Sequence, residues 1–272
     1  MRNRVLLGLM FMVLAACKQR TVPEYNVQRD SKYSIIDSTA KTDRFRVFDA
    51  KDRFAWYPIY YLGDTKETYE LGANPIKSRA RETYRPTATG GWFDKNISVF
   101  VDTALDIAHK STFTHEVVNE NRKVNDPEIY VTDSVKHFKA YPVFIKNTCD
   151  STIYLGYFNY VNFMVLEAKN EQGSWVEIET LERQAGCGVG ARVIFLRPHQ
   201  VIVAKILRYN GGFKTMCRLK LGNPKLAVYS NTFTEYIDKR MLTSISKRPE
   251  YIPVNKPNKS DTGYLGDEPL VK

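Results

Sequence analysis

YPVFIKNTCDSTIYLGYFNYVNFMVLEAKNEQGSWVEIETLERQAGCGVGARVIFLRPHQVIVAKILRYNGGFKTMCRLKL, residues 141–221, is the stretch whose reading decides the fold. Runs rich in β-branched and aromatic residues follow one another in it, each closed by turn chemistry. Residues 141–147, 152–157, 161–168, 175–180, 192–196, 201–207 and 213–221 are expected as seven strands. Asn170-Glu171-Gln172-Gly173 and Asn210-Gly211-Gly212 are expected as hairpin loops, because Asn and Gly accept the positive φ that tight turns need. On the last run Phe213, Thr215, Cys217, Leu219 and Leu221 share one face, and Lys214, Arg218 and Lys220 share the other. Met164, Leu166 and Ala168 alternate with Phe163 and Val165, so that strand is expected to be covered on both faces.

Outward from this block the pattern stays β. Residues 53–62 are aromatic and β-branched, with residues 65–71 as their hairpin partner across Gly63-Asp64, and Pro58 assigns the first of the two to an edge or a bulge. Residues 74–91 carry two prolines, two glycines and four basic residues and are expected as a long loop; residues 96–103 alternate as a half-buried strand. Residues 109–126 are polar and are expected as a connection, with a short strand over 112–118 as the alternative. Residues 234–245 suggest a short amphipathic helix, and residues 248–272, with four prolines and few large aliphatics, an extended tail.

The first residues say where the chain is delivered. Arg2 and Arg4 precede the apolar run 5–14, which is far shorter than the roughly 20 residues a spanning helix needs and has the size of a signal-peptide core. The run ends in Leu14-Ala15-Ala16-Cys17, which resembles the lipobox of bacterial lipoprotein precursors. That resemblance implies that Cys17 receives a diacylglyceryl thioether, that the chain is cut before it, and that acyl chains such as palmitate hold it at a membrane. Two or more acyl chains on one residue give stable attachment without a spanning segment. Lys18 stands where an Asp favours inner-membrane retention in well-studied lipoproteins, which points to the outer membrane.

The 141–221 pattern in turn resembles immunoglobulin-like sandwich domains of exported bacterial proteins, at the level of strands and turns and without a Cys…Trp…Cys signature. The expected fold is therefore all-β: an antiparallel immunoglobulin-like β-sandwich with an additional N-terminal β layer and little helix. The expected organisation is a signal peptide over 1–16, a tether over 17–44, an N-terminal β region over 45–125, a sandwich over 126–238 and a basic, Pro-containing tail over 239–272. One continuous β body from about residue 45 to 237 is the alternative.

Composition bounds the chemistry. The 272 residues carry 43% hydrophobic and 26% charged residues, enough for a sizeable core. The formal charge is +10, falling to +8 when residues 1–16 leave with two arginines and no acid; a basic balance favours anionic partners, or is simply a solvated face. No dense Lys/Arg block argues for nucleic acid. His109, His115, His137 and His199 show no metal-ligand spacing, and no cofactor motif is present. Glu177 and Glu179 alternate on one strand face and are expected at the surface.

Of the four cysteines, Cys217 is expected in the core, while Cys149 and Cys187 sit in a turn and a Gly-rich loop and are the candidate disulfide. Cys187 with His199 as base is the candidate of a competing reading, an envelope hydrolase; no oxyanion donor or orienting acid stands beside the pair. Aromatic clusters around Tyr57 and Tyr60, and at Trp92 and Phe93, are candidate surfaces for an envelope glycan or another envelope protein, since rings offer large contact area at little rotamer entropy. Ser38, Thr103, Ser134 and Ser151 each follow an Asp, and the tripeptides resemble the acceptor of a general O-glycosylation system of bacterial envelopes; Asp-Ser and Asp-Thr are also ordinary turn chemistry. The expectation is a lipid-anchored envelope protein that binds or scaffolds, with no catalytic residues.

Overall fold

In the computed structural model, which describes residues 33–49, 55, 57–76, 97–116, 130–157, 159–161, 163–180, 193–223 and 226–243, the alternating runs pair into stacked sheets. The strands are β1 (Ser34–Asp37), β2 (Ile59–Asp64), β3 (Thr68–Leu71), β4 (Ile97–Val101), β5 (Ile107–Glu116), β6 (Tyr130–Asn147) and β7 (Ile153–Tyr157). They continue with β8 (Met164–Lys169), β9 (Trp175–Glu177), β10 (Val193–Leu196), β11 (Gln200–Leu207), β12 (Phe213–Asn223), β13 (Leu226–Tyr229) and β14 (Phe233–Ile237). One turn of 3-10 helix, Lys239–Leu242, closes the described chain, its first turn capped by the Asp238 side chain. All seven strands expected in residues 141–221 form within a few residues of their expected ends, except that the first is the end of a longer strand that begins at Tyr130. No helix among the described residues is long and apolar enough to cross a membrane.

The first sheet runs β2-β11-β6-β4, with β5 also paired to β6; the second runs β13-β12-β8-β9, with β14 also paired to β12. Both are antiparallel. Strict alternation gives each an apolar inner face. Val143, Ile145, Ile202 and Ala204 of the first meet Leu166, Ala168, Cys217 and Leu219 of the second in one buried cluster. Strand β8 lies between β12 and β9 and is buried on both sides, as its apolar residues at successive positions predict, with the buried Glu167 paired to Arg218.

A third layer covers the outer face of the first sheet. Strands β1 and β3 pair in parallel, and Ile35, Tyr69 and Leu71 pack with Tyr33 onto Tyr60, Phe144, Val201 and Val203. The additional N-terminal layer is thus present, but its strands are not those expected. Residues 65–71 do not return as a hairpin partner of 53–62: β3 pairs with β1, and β2 pairs with β11 at the sheet edge where Pro58 assigns it.

Four further expectations are corrected. The tether expected to reach residue 44 is already structured at Tyr33, because a polar segment is fixed here by buried charge pairing, which leaves no apolar period. The division expected between 45–125 and 126–238 runs through one sheet, where β2, β4 and β5 pair with β11 and β6. The polar connection over 109–126 begins as the ten-residue strand β5, whose register on β6 runs from Ile107↔Ala140 to Glu116↔Tyr130. The helix expected over 234–245 is instead β14 followed by the 3-10 turn, since alternating Phe233, Glu235 and Ile237 face inward.

Asn210-Gly211-Gly212 is not a hairpin loop either. It carries the chain from β11 in one sheet to β12 in the other, with Gly211 N–H bonded to the Tyr236 carbonyl at 2.7 Å. A Cβ on Gly211 would lie 2.1 Å from the Ile237 carbonyl carbon, so only glycine fits this approach. Asn170–Gly173 does form the β8–β9 hairpin, with Asn170 Oδ1 accepting from Gln172 N and Ser174 N.

Candidate functional site

Among the described residues the β1–β3 layer covers only part of the first sheet's outer face, and the rest borders a groove. Antiparallel pairing puts cross-strand partners on the same face. His109↔Phe138 and Ser111↔Lys136 therefore pave its floor, with Phe113 next along β5 and Tyr60 of β2 beside His109. Residues 44–49 form one wall, and Asn74 and Pro75, leaving β3, form part of another. Segment 44–49 is held in place by backbone bonds from Lys139 N to the Arg44 carbonyl (2.7 Å) and from Arg46 N to the Arg208 carbonyl (2.8 Å). The groove measures about 1370 Å³.

Its lining is cationic. Arg44, Arg46, Lys110, Lys136 and Arg240 face it against the single acid Asp49. Arg240 is paired to Asp238 at 2.7 Å, and Arg46 lies over the Tyr209 ring. Lys110 Nζ donates only to the Asn74 side-chain oxygen at 3.2 Å, and Lys136 Nζ sits 4.6 Å from the Phe113 ring centroid. Among the described residues neither lysine has an acidic partner.

Beneath the groove lies a buried ion pair that fastens the third layer. Lys205 of β11 is 1% exposed, and its Nζ donates to both oxygens of Asp37 (3.0 Å each), to Thr39 Oγ1 (3.1 Å) and to the Ala108 carbonyl (2.6 Å). Asp37 also accepts from Thr39 N and Ala108 N, so both partners of the pair are fully engaged. Burial lowers the Lys205 pKa, against the raising effect of Asp37. His109 Nδ1 is 3.0 Å from Tyr60 Oη. Burial first, then the charges of Lys205 and Arg46, push the His109 pKa down to about 4, so the ring is neutral at physiological pH. Burial, reinforced by the Asp37 charge, raises the Tyr60 phenol. Neither group is poised as a general base near neutrality.

The second polar cluster is inside the sandwich. Glu179, expected at the surface beside Glu177, is 4% exposed, because β9 ends at Glu177 and the chain turns inward. Its carboxylate accepts from Tyr57 Oη, from Tyr209 Oη at 3.2 Å and from Leu166 N at 3.1 Å. Burial raises its pKa and these bonds oppose the rise. Glu235 nearby accepts from Tyr209 N at 3.0 Å and lies 3.5 Å from Arg208 Nε.

The residues singled out in the sequence scatter. Tyr57 and Tyr60 are 2% and 4% exposed, so they are core residues and not a binding surface; Tyr60 meets the groove only as its floor. Trp92, Phe93, Cys17 and Cys187 lie outside the described residues. Where the sequence allows a bridge to Cys187, Cys149 is a buried free thiol whose Sγ donates to Asn147 Oδ1 at 2.9 Å. His199 is exposed, has φ 60°, and its Nε2 is 3.4 Å from Asp150 Oδ1.

Ser38, Thr103 and Ser151 are exposed and Ser134 is half-buried. The aspartates before Ser38 and Thr103 make turn bonds, Asp37 Oδ1 to Thr39 N and Asp102 Oδ1 to Ala104 N, each at 3.0 Å. Among the described residues no group of three or more His, Cys, Asp or Glu side chains could hold a metal ion. Sequence reading missed Lys205, Asp37 and His109, which lie far apart in the chain; the one local signal was a lysine in the apolar run VIVAKIL, where burial requires a counter-charge. No family model, curated protein or solved structure matches the chain.

Proposed function

We propose that the chain is a lipid-anchored cell-envelope protein, held at the outer membrane through Cys17, that acts by binding and not by turnover. The observation that carries the binding role is the groove: an uncovered sheet face whose cations Lys110 and Lys136 have no acidic partner among the described residues. Charges left unneutralised around a recess are what an anionic partner uses for attraction and register. A neutral His109 and a phenol with a raised pKa support a recognition floor better than an acid–base pair. The anchor rests on the Leu14–Cys17 motif, and Cys17→Ala is expected to abolish palmitate labelling and release the body from the membrane fraction.

The groove is tested by acetylating lysines in intact envelopes and in the purified full-length chain, with modification read site by site. Occupancy in the envelope protects Lys110 and Lys136, while Lys214, on the outer face of the second sheet, reacts equally in both samples. Equal labelling of all three lysines in both samples would refute the groove as the working surface.

A further inference from the structure

We infer that the groove takes an acidic saccharide: a chain of sugar units bearing carboxylate or phosphate groups, laid along the outer face of the β5–β6 ribbon. This rests on the reading of the groove as the binding surface and adds the class of its ligand. Three observations converge. The volume of about 1370 Å³ exceeds the roughly 300–1,000 Å³ of small-molecule pockets, so there is room for a ligand of several units. The lining is basic, with five cations against the acid Asp49; one of the five, Arg240, is paired with Asp238, while Lys110 and Lys136 have no acidic partner among the described residues. And the floor offers an exposed ring. Phe113, 36% exposed, carries the Lys136 ammonium 4.6 Å from its ring centroid, which brings an exposed apolar ring for sugar C–H groups and a cation for their acidic substituents to one place.

Hydroxyl partners are at hand in Ser111 and Asn74, on the floor and on one wall. A single-stranded nucleic acid shares the negative charge, but it is held by successive exposed rings on which bases stack. Among the described residues Phe113 is the one ring of the lining that is exposed, Phe45, Phe48, Phe138 and Tyr160 being half-buried.

The test is a titration of the purified full-length chain with four probes: polygalacturonate oligomers, a phosphorylated mannan, neutral dextran and polyuridylate. Binding of either acidic glycan and none of dextran is expected, and the better of the two identifies carboxylate or phosphate as the recognised group. The matched control lies within the molecule, because Lys214 Nζ sits 5.8 Å over the Tyr236 ring just as Lys136 sits over Phe113. Lys136→Glu and Phe113→Ala are each expected to weaken glycan binding by about tenfold, whereas Lys214→Glu and Tyr236→Ala leave it within about twofold. Lys136→Gln, which removes charge without reversing it, is expected to fall between wild type and Lys136→Glu.

Equal losses from Lys136→Glu and Lys214→Glu would show attraction by net charge and overturn the site. Polyuridylate bound as tightly as the glycans would overturn the ligand class, as would no binding by any probe. Failure here, with Lys110 and Lys136 still protected in envelopes, would remove the saccharide and leave the groove as a binding surface for something else.

Discussion

Replacing Asp37 by Ala probes how the third layer is attached. The change removes both oxygens that Lys205 Nζ contacts at 3.0 Å and the acceptor of Thr39 N and Ala108 N. Breaking a buried ion pair by deleting one partner costs about 3–5 kcal/mol. Lys205 keeps Thr39 Oγ1, the Ala108 carbonyl and the Tyr60 ring, 4.3 Å away, so the lower end applies and about 3 kcal/mol is expected at neutral pH.

The sign of the pH dependence follows from the lysine. Burial already holds its folded pKa below the unfolded value, and loss of Asp37, which raises it, lowers the pKa further. The variant's native state therefore sheds the proton at a lower pH than the wild type does, and its deficit narrows as pH rises towards the ordinary lysine range. Lys205→Met in the Asp37→Ala background removes the stranded charge and should recover about 2 kcal/mol of the loss. Urea unfolding as a function of pH measures the deficit, and amide exchange at Ser38, whose N–H donates to the Leu71 carbonyl, reports whether β1 has come away. A deficit under about 1 kcal/mol with Ser38 still protected would show that the pair does not fasten the layer.

Three further outcomes follow from the same contacts. Tyr57→Phe takes one of three donors from the buried Glu179 carboxylate and should destabilise by about 1.5–3 kcal/mol in urea titration; a neutral result would mean that the carboxylate has no need of that donor. Cys217→Ser puts a hydroxyl into the apolar layer between the sheets and should cost about 1–3 kcal/mol, checked by thermal unfolding under reducing conditions. His109, with a folded pKa of about 4 against about 6.5 unfolded, binds its proton first in the unfolded chain, so it costs stability as pH falls through that window. His109→Gln should flatten the acid limb of the stability profile between those pH values by up to about 3 kcal/mol, and an unchanged limb would place the titration elsewhere.

What the sequence alone determined were properties that local pattern carries. Alternation over residues 141–221 specified the strands of the sandwich and the facing of β12, where Thr215, Cys217, Leu219 and Leu221 are buried and Lys214 is exposed. Asn170–Gly173 specified its own hairpin, because positive φ is needed at one place and only a few residues tolerate it. Pro58 specified an edge, because a strand residue without an N–H has no place in a central ladder.

What only the tertiary structure decided were pairings over long separations. Nothing local in residues 33–44 distinguishes a tether from a strand: Ser34–Asp37 is short and half polar, and it is held by partners distant in sequence, β3 beside it and Lys205, 168 positions from Asp37. Strand β3 could equally pair with β2 next to it in sequence, and it pairs with β1 because the outer face of the first sheet presents Tyr60, Phe144 and Val203 for both to cover. Glu179 reads as surface by alternation, and becomes interior only where Tyr57 and Tyr209 converge on it from other strands. The groove is of the same kind. Its floor comes from β2, β5 and β6 and its wall from residues 44–49, so its charge exists as a site only after a layer too small for the sheet has left part of one face uncovered. Periodicity records which way a side chain points, whereas an ion pair or a recess depends on what arrives opposite it, and that information is distributed over the whole chain.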